Sequence, residues 1–138
     1  MEISCLENDK ENFSTFLMNK LDEFNSQFIN TDNIELCLFI KNGNDCLKGG
    51  LYGEKYGKVL YIKYLWVDLS LRGSGSGRKL LKNAEEWGVN HDCSIVILDT
   101  YEFQAPGFYK SLGYLQFGHT TIGEKEITRF YFHKKIQK

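Results

Sequence analysis

The sequence predicts an α/β fold built on a parallel strand, helix, strand unit, and three successive stretches carry that expectation. In the first, Val59 to Val67 (VLYIKYLWV), Leu60, Ile62, Tyr64 and Trp66 alternate with Val59, Tyr61, Lys63, Leu65 and Val67, and both sets are largely apolar. Such a strand is expected to be covered on both faces. The second starts at Arg78, where Leu80, Leu81, Ala84 and Trp87 recur with helical period opposite Lys79, Lys82, Glu85 and Glu86, with Gly88 as the expected end. The third, Cys93 to Leu98 (CSIVIL), is the short continuous apolar run of a buried parallel strand. A crossover of this kind is right-handed, and its ligands sit at the carboxyl ends of the strands.

The other elements follow in chain order. A short first strand is expected around Ile3 to Leu6. Residues 9 to 29 lack Pro and Gly and set Phe13, Phe16, Leu17, Leu21, Phe24 and Phe28 on one side, an amphipathic helix whose aromatic stripe reads as ordinary core. Ile34 to Ile40 and Cys46 to Tyr52 read as strands joined by Asn42-Gly43-Asn44-Asp45, and a turn near Tyr56-Gly57-Lys58 leads into the central strand. Pro106 and Gly113 bracket a two-turn helix, APGFYKSLG. Two aromatic-rich strands, Tyr114 to Phe117 and Thr128 to His133, are expected to pair around a loop containing Gly123-Glu124.

A chain of 138 residues, 42% hydrophobic, is enough for one domain with a core, taken as residues 1–138, and too short for two. With 17 basic against 18 acidic side chains and a net charge of −1, no overall positive field draws nucleic acid or an anionic membrane. Lys134, Lys135 and Lys138 read as a solvated tail. The start, MEISCLENDKENF, has an acid at position 2 and no apolar stretch, unlike a secretion signal, and no run reaches the length of a membrane span. A soluble, cytoplasmic protein is the expectation. Cys5, Cys37, Cys46 and Cys93 form no C-x-x-C pair, and His91, His119 and His133 stand far apart, so no metal site is expected. Cys37 and Cys46 read as small buried or half-buried side chains.

Between the central strand and the helix lies Arg72-Gly73-Ser74-Gly75-Ser76-Gly77. Glycines at alternate positions let the backbone bend and let a ligand lie against its amides. The helix aims its unpaired N–H groups and positive dipole end at the same place, which makes an anion cradle, best suited to phosphate. A nucleotide P-loop requires Lys-Ser or Lys-Thr after the last glycine, and Arg78-Lys79-Leu80 stands there instead. The dinucleotide order G-x-G-x-x-G finds Arg78 or Leu80 where its third glycine belongs, although Asp99 stands where a ribose-binding acid is conceivable. A flexible linker is a poor rival between so apolar a strand and so well-patterned a helix. The pattern that does match is R-x-x-G-x-G.

With that pattern the chain resembles the GNAT acetyltransferase superfamily. The resemblance is supported again by LDTYEFQAPGFYKSLGY, residues 98 to 114, which looks like the last coenzyme-binding part of that fold. It is similar in particular to a small bacterial subgroup that pairs YLWVD-x-x-LRG-x-G-x-G with DT-x-x-FQAP-x-FY-x-x-LGY; both stand here in order, at Tyr64 to Gly77 and Asp99 to Tyr114. The resemblance implies one GNAT-like domain, a mixed central sheet flanked by helices on both faces, acetyl-coenzyme A as co-substrate, and a small-molecule or protein amine as acceptor, with a homodimer an open option. It covers Val59 to Gly118 well. It is weak before that, where the family has two helices and one is read here.

By the same resemblance, backbone around Trp66 and Val67 pairs with the pantetheine arm and polarises the thioester carbonyl, while the amides of Arg72, Gly73, Ser74, Gly75, Ser76 and Gly77 bind pyrophosphate with help from Arg78. Tyr109 matches the family tyrosine near the coenzyme sulfur, often the general acid; a phenol of pKa about 10 is protonated at neutral pH and can hand a proton to a thiolate whose conjugate acid is near 8.5. The bland reading of Tyr109 is a core aromatic beside Phe108. Gln104 either helps hold the coenzyme or caps a helix. Two departures stand out: Glu102 occupies the place of the usual pantetheine-binding Asn, and the subgroup's P-x-G-H is missing, with Ile127 where His is expected. Glu54, Asp68, Asp99 and Glu102 are candidate bases, each also readable as a solvated or structural acid. A coenzyme-binding sensor without transfer is the alternative function.

Overall fold

The computed structural model describes residues 1–137 and divides the chain into two compact units, Met1–Thr31 and the part from Asp32 onward. In the first unit, helix α1 (Phe13–Asn25) is shorter than the stretch 9 to 29. Its entry is tied by Asp9, whose carboxylate accepts from the Ser14 amide and hydroxyl. No residue of α1 is buried, and its aromatic stripe is exposed rather than core. Helical period fixes which side chains share a face, whereas burial needs a surface to meet, and thirty-one residues supply none within the unit. Residues 1 to 6 form no strand, which corrects the expectation at Ile3 to Leu6; this unit has no second strand to satisfy their backbone groups.

The second unit is a mixed six-stranded sheet. Its strands are β1 (Asn33–Lys41), β2 (Leu47–Tyr56), β3 (Val59–Val67), β4 (Ile95–Tyr101), β5 (Leu115–Ile122) and β6 (Ile127–Lys135), in the order β1-β2-β3-β4-β6-β5. Only β3 and β4 pair in parallel, joined by the expected crossover helix α2 (Ser76–Asn90). Leu60, Leu81, Ala84, Val96 and Phe132 are almost wholly inaccessible and form the centre of the core between α2 and the sheet. Helix α3 (Pro106–Ser111) lies on the same face, where Phe108, Tyr109 and Leu112 pack against that core.

The central strand departs from simple alternation. Tyr52 pairs with Tyr64 but Gly53 with Ile62, so Lys63 is an extra residue, a β-bulge. Leu60, Ile62, Leu65 and Val67 therefore share the helix side, while Tyr61, Tyr64 and Trp66 are exposed on the other. That face is not covered by α2 or α3, so the expectation of a strand covered on both faces is not met within this unit. Gly88 is also reassigned. It sits inside α2, where a Cβ would meet Ile136 Cδ1 at 2.9 Å, so its smallness serves close packing and not helix termination. Cys37 and Cys46 are exposed, contrary to expectation, and Cys93 is buried.

Lys134 is no loose tail: its Nζ donates to Glu85 Oε1 at 2.8 Å, and Glu85 Oε2 accepts from the Tyr114 hydroxyl at 2.9 Å. Lys138 lies outside the described residues. Because Tyr114 is 2% exposed, removing its acceptor strands a buried hydroxyl. Glu85→Ala is expected to lower stability by about 1–3 kcal/mol, read by denaturant melts, with Glu85→Ala/Tyr114→Phe recovering part of the loss.

Candidate functional site

The pairing of β3 with β4 ends at Ile62↔Leu98, although β3 runs on to Val67 and β4 to Tyr101. Beyond the bulge the two strands part, and the flank of Lys63–Val67 that faces β4 is left without a partner strand. An unpaired strand edge inside a sheet is a template for an extended ligand. Sequence reasoning placed Trp66 and Val67 on this stretch but missed the bulge that creates it. The signal was the lone charge of Lys63 inside an apolar run.

The glycine turn opens at the same end. A 3-10 turn (Leu69–Leu71), capped by the Asp68 carboxylate on the Ser70 amide at 3.0 Å, leads into it. Gly73 (φ 81°) and Gly75 (φ 84°) adopt left-handed backbone, which glycine takes without Cβ strain. Gly75 is the N-cap of α2 and offers no side chain, so the amides at the helix start have no side-chain cap. The helix begins two residues before Arg78, which places Gly77 in its first turn. A Cβ on Gly77 would stand 3.4 Å from Phe108 Cζ and 3.8 Å from Val67 Cγ2, so the turn, the end of β3 and α3 converge there. Arg72 Nε donates to the Val67 carbonyl at 3.4 Å, Ser74 and Ser76 hydroxyls lie 2.7 Å apart, and Arg78 makes no ion pair with the described residues.

Tyr109 packs beside Phe108, Tyr114 and Phe132, with ring centroids 5.1 to 6.0 Å away. Burial, with Asp99 adding to it, pushes its phenol up to about 12. Burial beside Glu85 raises Tyr114 further. Gln104 does not cap α3; its Oε1 accepts from the Tyr101 amide at 3.0 Å and Thr100 Oγ1 at 3.2 Å, which pins the end of β4. Three candidate bases are engaged elsewhere. Glu54 is held below the usual carboxylate range by Lys63 at 2.9 Å and the Tyr52 hydroxyl at 2.7 Å, and Asp68 by Ser70. Asp99 pairs with Arg129 at 2.8 Å. Glu102 is exposed, and its amide donates to the Thr128 carbonyl. Among the described residues no cluster of His, Cys, Asp and Glu is grouped to hold a metal, and no helix is long and apolar enough to cross a membrane.

The family model for the acetyltransferase (GNAT) family matches residues 5–114. The chain belongs to the GNAT acetyltransferase family. The six-stranded mixed sheet with its crossover helix is the GNAT fold. An acetyltransferase of Bacillus cereus ATCC 14579 superposes with a TM-score of 0.82 at 31% identity, covering 99% of this chain and 100% of that one. Blasticidin-S acetyltransferase of Streptomyces morookaense is 41% identical over 73 residues, 49% of this chain and 51% of the relative, so the match spans about half of that protein. A Bacillus anthracis structure in complex with acetyl coenzyme A shares the fold at a TM-score of 0.66 and 19% identity, with 80% and 67% of the two chains covered.

This GNAT chain carries a titration signature. Between about pH 10 and 12 the unfolded chain has lost the Tyr109 proton while the folded chain keeps it, so stability falls as pH rises through that window. Spectroscopic titration of the folded protein is expected to show Tyr109 and Tyr114 in a late-ionising class. Tyr109→Phe removes one phenol from it.

Proposed function

We propose that the chain transfers the acetyl group of acetyl-coenzyme A directly to a primary amine, and that it sits with the small bacterial GNAT proteins whose paired motifs it shares. The observation that carries this reading is the parting of β3 from β4 at Lys63, with the glycine turn, Val67 and α3 converging at the same end. The freed edge around Trp66 and Val67 offers the outward backbone groups of Leu65 and Val67 to a pantetheine arm. Within Arg72 to Gly77 the amides of Arg72 and Ser74 already donate to the Leu69 and Leu71 carbonyls, while those of Gly73, Gly75, Ser76 and Gly77, with Arg78, suit a pyrophosphate. Gln104 contributes by fixing the end of β4 and has no need to touch the coenzyme.

In the proposed reaction a neutral amine attacks the thioester carbon. The new C–N bond forms, the C–S bond breaks, and the bonding pair leaves on sulfur. Backbone N–H groups at the end of β3 stabilise the oxygen as charge develops on it. Tyr109 gives its proton to the thiolate and regains one from the nitrogen through solvent. Its raised pKa keeps the phenol protonated throughout the neutral range, so the donor form is always present. Glu54, Asp68 and Asp99 are committed to partners, and water carries the amine proton away.

Tyr109→Phe removes only a hydroxyl and is expected to lower kcat by about 10² to 10⁴ with little change in the acetyl-coenzyme A KM. A wild-type kcat on a genuine acceptor, with chemistry rate-limiting, would exclude Tyr109 as the acid. Binding of the coenzyme with no transfer to any of a broad amine panel would favour the sensor reading.

Gly75→Val forces a β-branched residue to φ 84° and sets its side chain against the cradle amides. A loss of acetyl-coenzyme A affinity of roughly tenfold or more is expected by calorimetry, given what charge-assisted phosphate contacts contribute. Unchanged affinity would put the phosphate site elsewhere.

A further inference from the structure

The bulge at Lys63 decides which backbone groups the freed edge of β3 presents. Tyr52 stands opposite Tyr64 and Gly53 opposite Ile62, with Lys63 between them as the extra residue. Without that extra residue the ladder would run on with Lys63 opposite Tyr52 and Tyr64 opposite Leu51. A slip of one residue turns every later side chain to the other face and every later amide to the other edge. Tyr64 and Trp66 would then take the helix side in place of Leu65 and Val67, and the amide of Trp66 would face the opening instead of theirs. Both sets are apolar, so hydrophobic sorting separates the two registers only weakly. The choice falls to contacts at the bulge itself.

Those contacts all lie within β1 to β3. Opposite the bulge only glycine fits, since a Cβ on Gly53 would stand 2.9 Å from the Tyr61 carbonyl oxygen and 3.3 Å from Leu60 Cδ1. The rings of Tyr52 and Tyr64 stack with centroids 5.8 Å apart, a contact that depends on this pairing. Glu54 joins the extra residue to the strand beside it: one carboxylate oxygen, Oε2, accepts from Lys63 Nζ at 2.9 Å, and the other, Oε1, accepts from the Tyr52 hydroxyl at 2.7 Å. Glu35 stands opposite Glu54 on β1, and like charges so opposed are unfavourable without a cation beside them. Lys63 is that cation. A half-exposed ion pair adds little to global stability, so its effect falls on the local register.

We propose that Glu54, Lys63 and Tyr52 form a lock that positions the thioester-binding edge: by fixing the bulge they aim the Leu65 and Val67 amides at the coenzyme and set how strongly its carbonyl is polarised. They are positioning residues, which act through the backbone of β3 and touch neither coenzyme nor acceptor. The proposal rests on the transferase reading above and names what holds its carbonyl-binding groups in place. A misplacement of about 1 Å in such groups is enough to cost roughly 10²-fold in rate.

Infrared spectroscopy of acetyl-coenzyme A labelled with carbon-13 at the thioester carbonyl, bound to the full chain, reads the polarisation without need of an acceptor. The wild-type chain is expected to lower the carbonyl stretch relative to the free coenzyme. Glu54→Ala and Lys63→Met should each lose at least about half of that shift. Tyr52→Phe keeps the ring stack and should lose a smaller part, and Lys63→Arg, which still pairs with the carboxylate, should keep most of it. Amide exchange of the unliganded chain gives a second reading. The Trp66 amide should exchange at least about tenfold faster in Glu54→Ala and Lys63→Met, with Leu60 and Val96 unchanged, which separates a loosened bulge from a loss of global stability. Lys58→Met breaks the Lys58–Asp92 pair just before β3 and should change neither reading. Variants that bind acetyl-coenzyme A with the full wild-type shift and unaltered Trp66 exchange would overturn the lock and leave the transferase reading standing. A wild-type chain that does not bind acetyl-coenzyme A, or binds it without shifting the stretch, would instead defeat the transferase reading, and this inference with it.

Discussion

The structure depends on one interruption in its hydrogen bonding. β3 and β4 pair in parallel as far as Ile62 and Leu98 and then separate, because the bulge at Lys63 turns the rest of β3 away. Backbone amides and carbonyls are obligatory hydrogen-bonding groups, and a strand that loses its neighbour in mid-sheet must satisfy them with solvent or a ligand. The same bulge redistributes the side chains. Leu65 and Val67 stay with the core, while Tyr64 and Trp66 turn to the open face. A single extra residue thus creates the binding edge and turns the aromatic side chains of Tyr64 and Trp66 away from the core.

Around that interruption the fold supplies rigid supports. The core of Leu60, Leu81, Val96 and Phe132 holds α2 against β3 and β4, and Gly88 allows the close approach to Ile136. The Glu85 carboxylate, shared by Tyr114 and Lys134, ties α2 to the strands that follow α3. Gln104 pins the end of β4. Tyr109 is thereby held between firmly packed neighbours, and a proton donor in the proposed reaction needs such fixed placement more than it needs an unusual acidity.

Much of this was legible in the sequence, and the failures have physical causes. The crossover unit was readable because a doubly apolar strand, a helical period and a buried apolar run follow one another. The Gly73 and Gly75 turn was readable because left-handed backbone leaves a glycine signature. The stripe of α1 is legible as helical but not as exposed, since periodicity reports a shared face and says nothing about what covers it. Alternation along β3 hides the change at Lys63, because a bulge shifts facing without changing composition. Gly88 stands in the sequence where a terminator would, yet its lack of a side chain serves packing inside α2. Nothing in the sequence distinguished the coenzyme and capping readings of Gln104; its bonds to Thr100 and Tyr101 required coordinates.

The central claim is that the freed edge of β3 and the uncapped start of α2 together receive acetyl-coenzyme A. Amide hydrogen exchange, compared with and without saturating acetyl-coenzyme A, tests it most directly. The account predicts added protection at Leu65 and Val67 and at Ser76 to Arg78, with Trp66, Ile62 and Leu98, already paired, unchanged. Protection confined to other elements, or none at β3 despite tight binding, would contradict it.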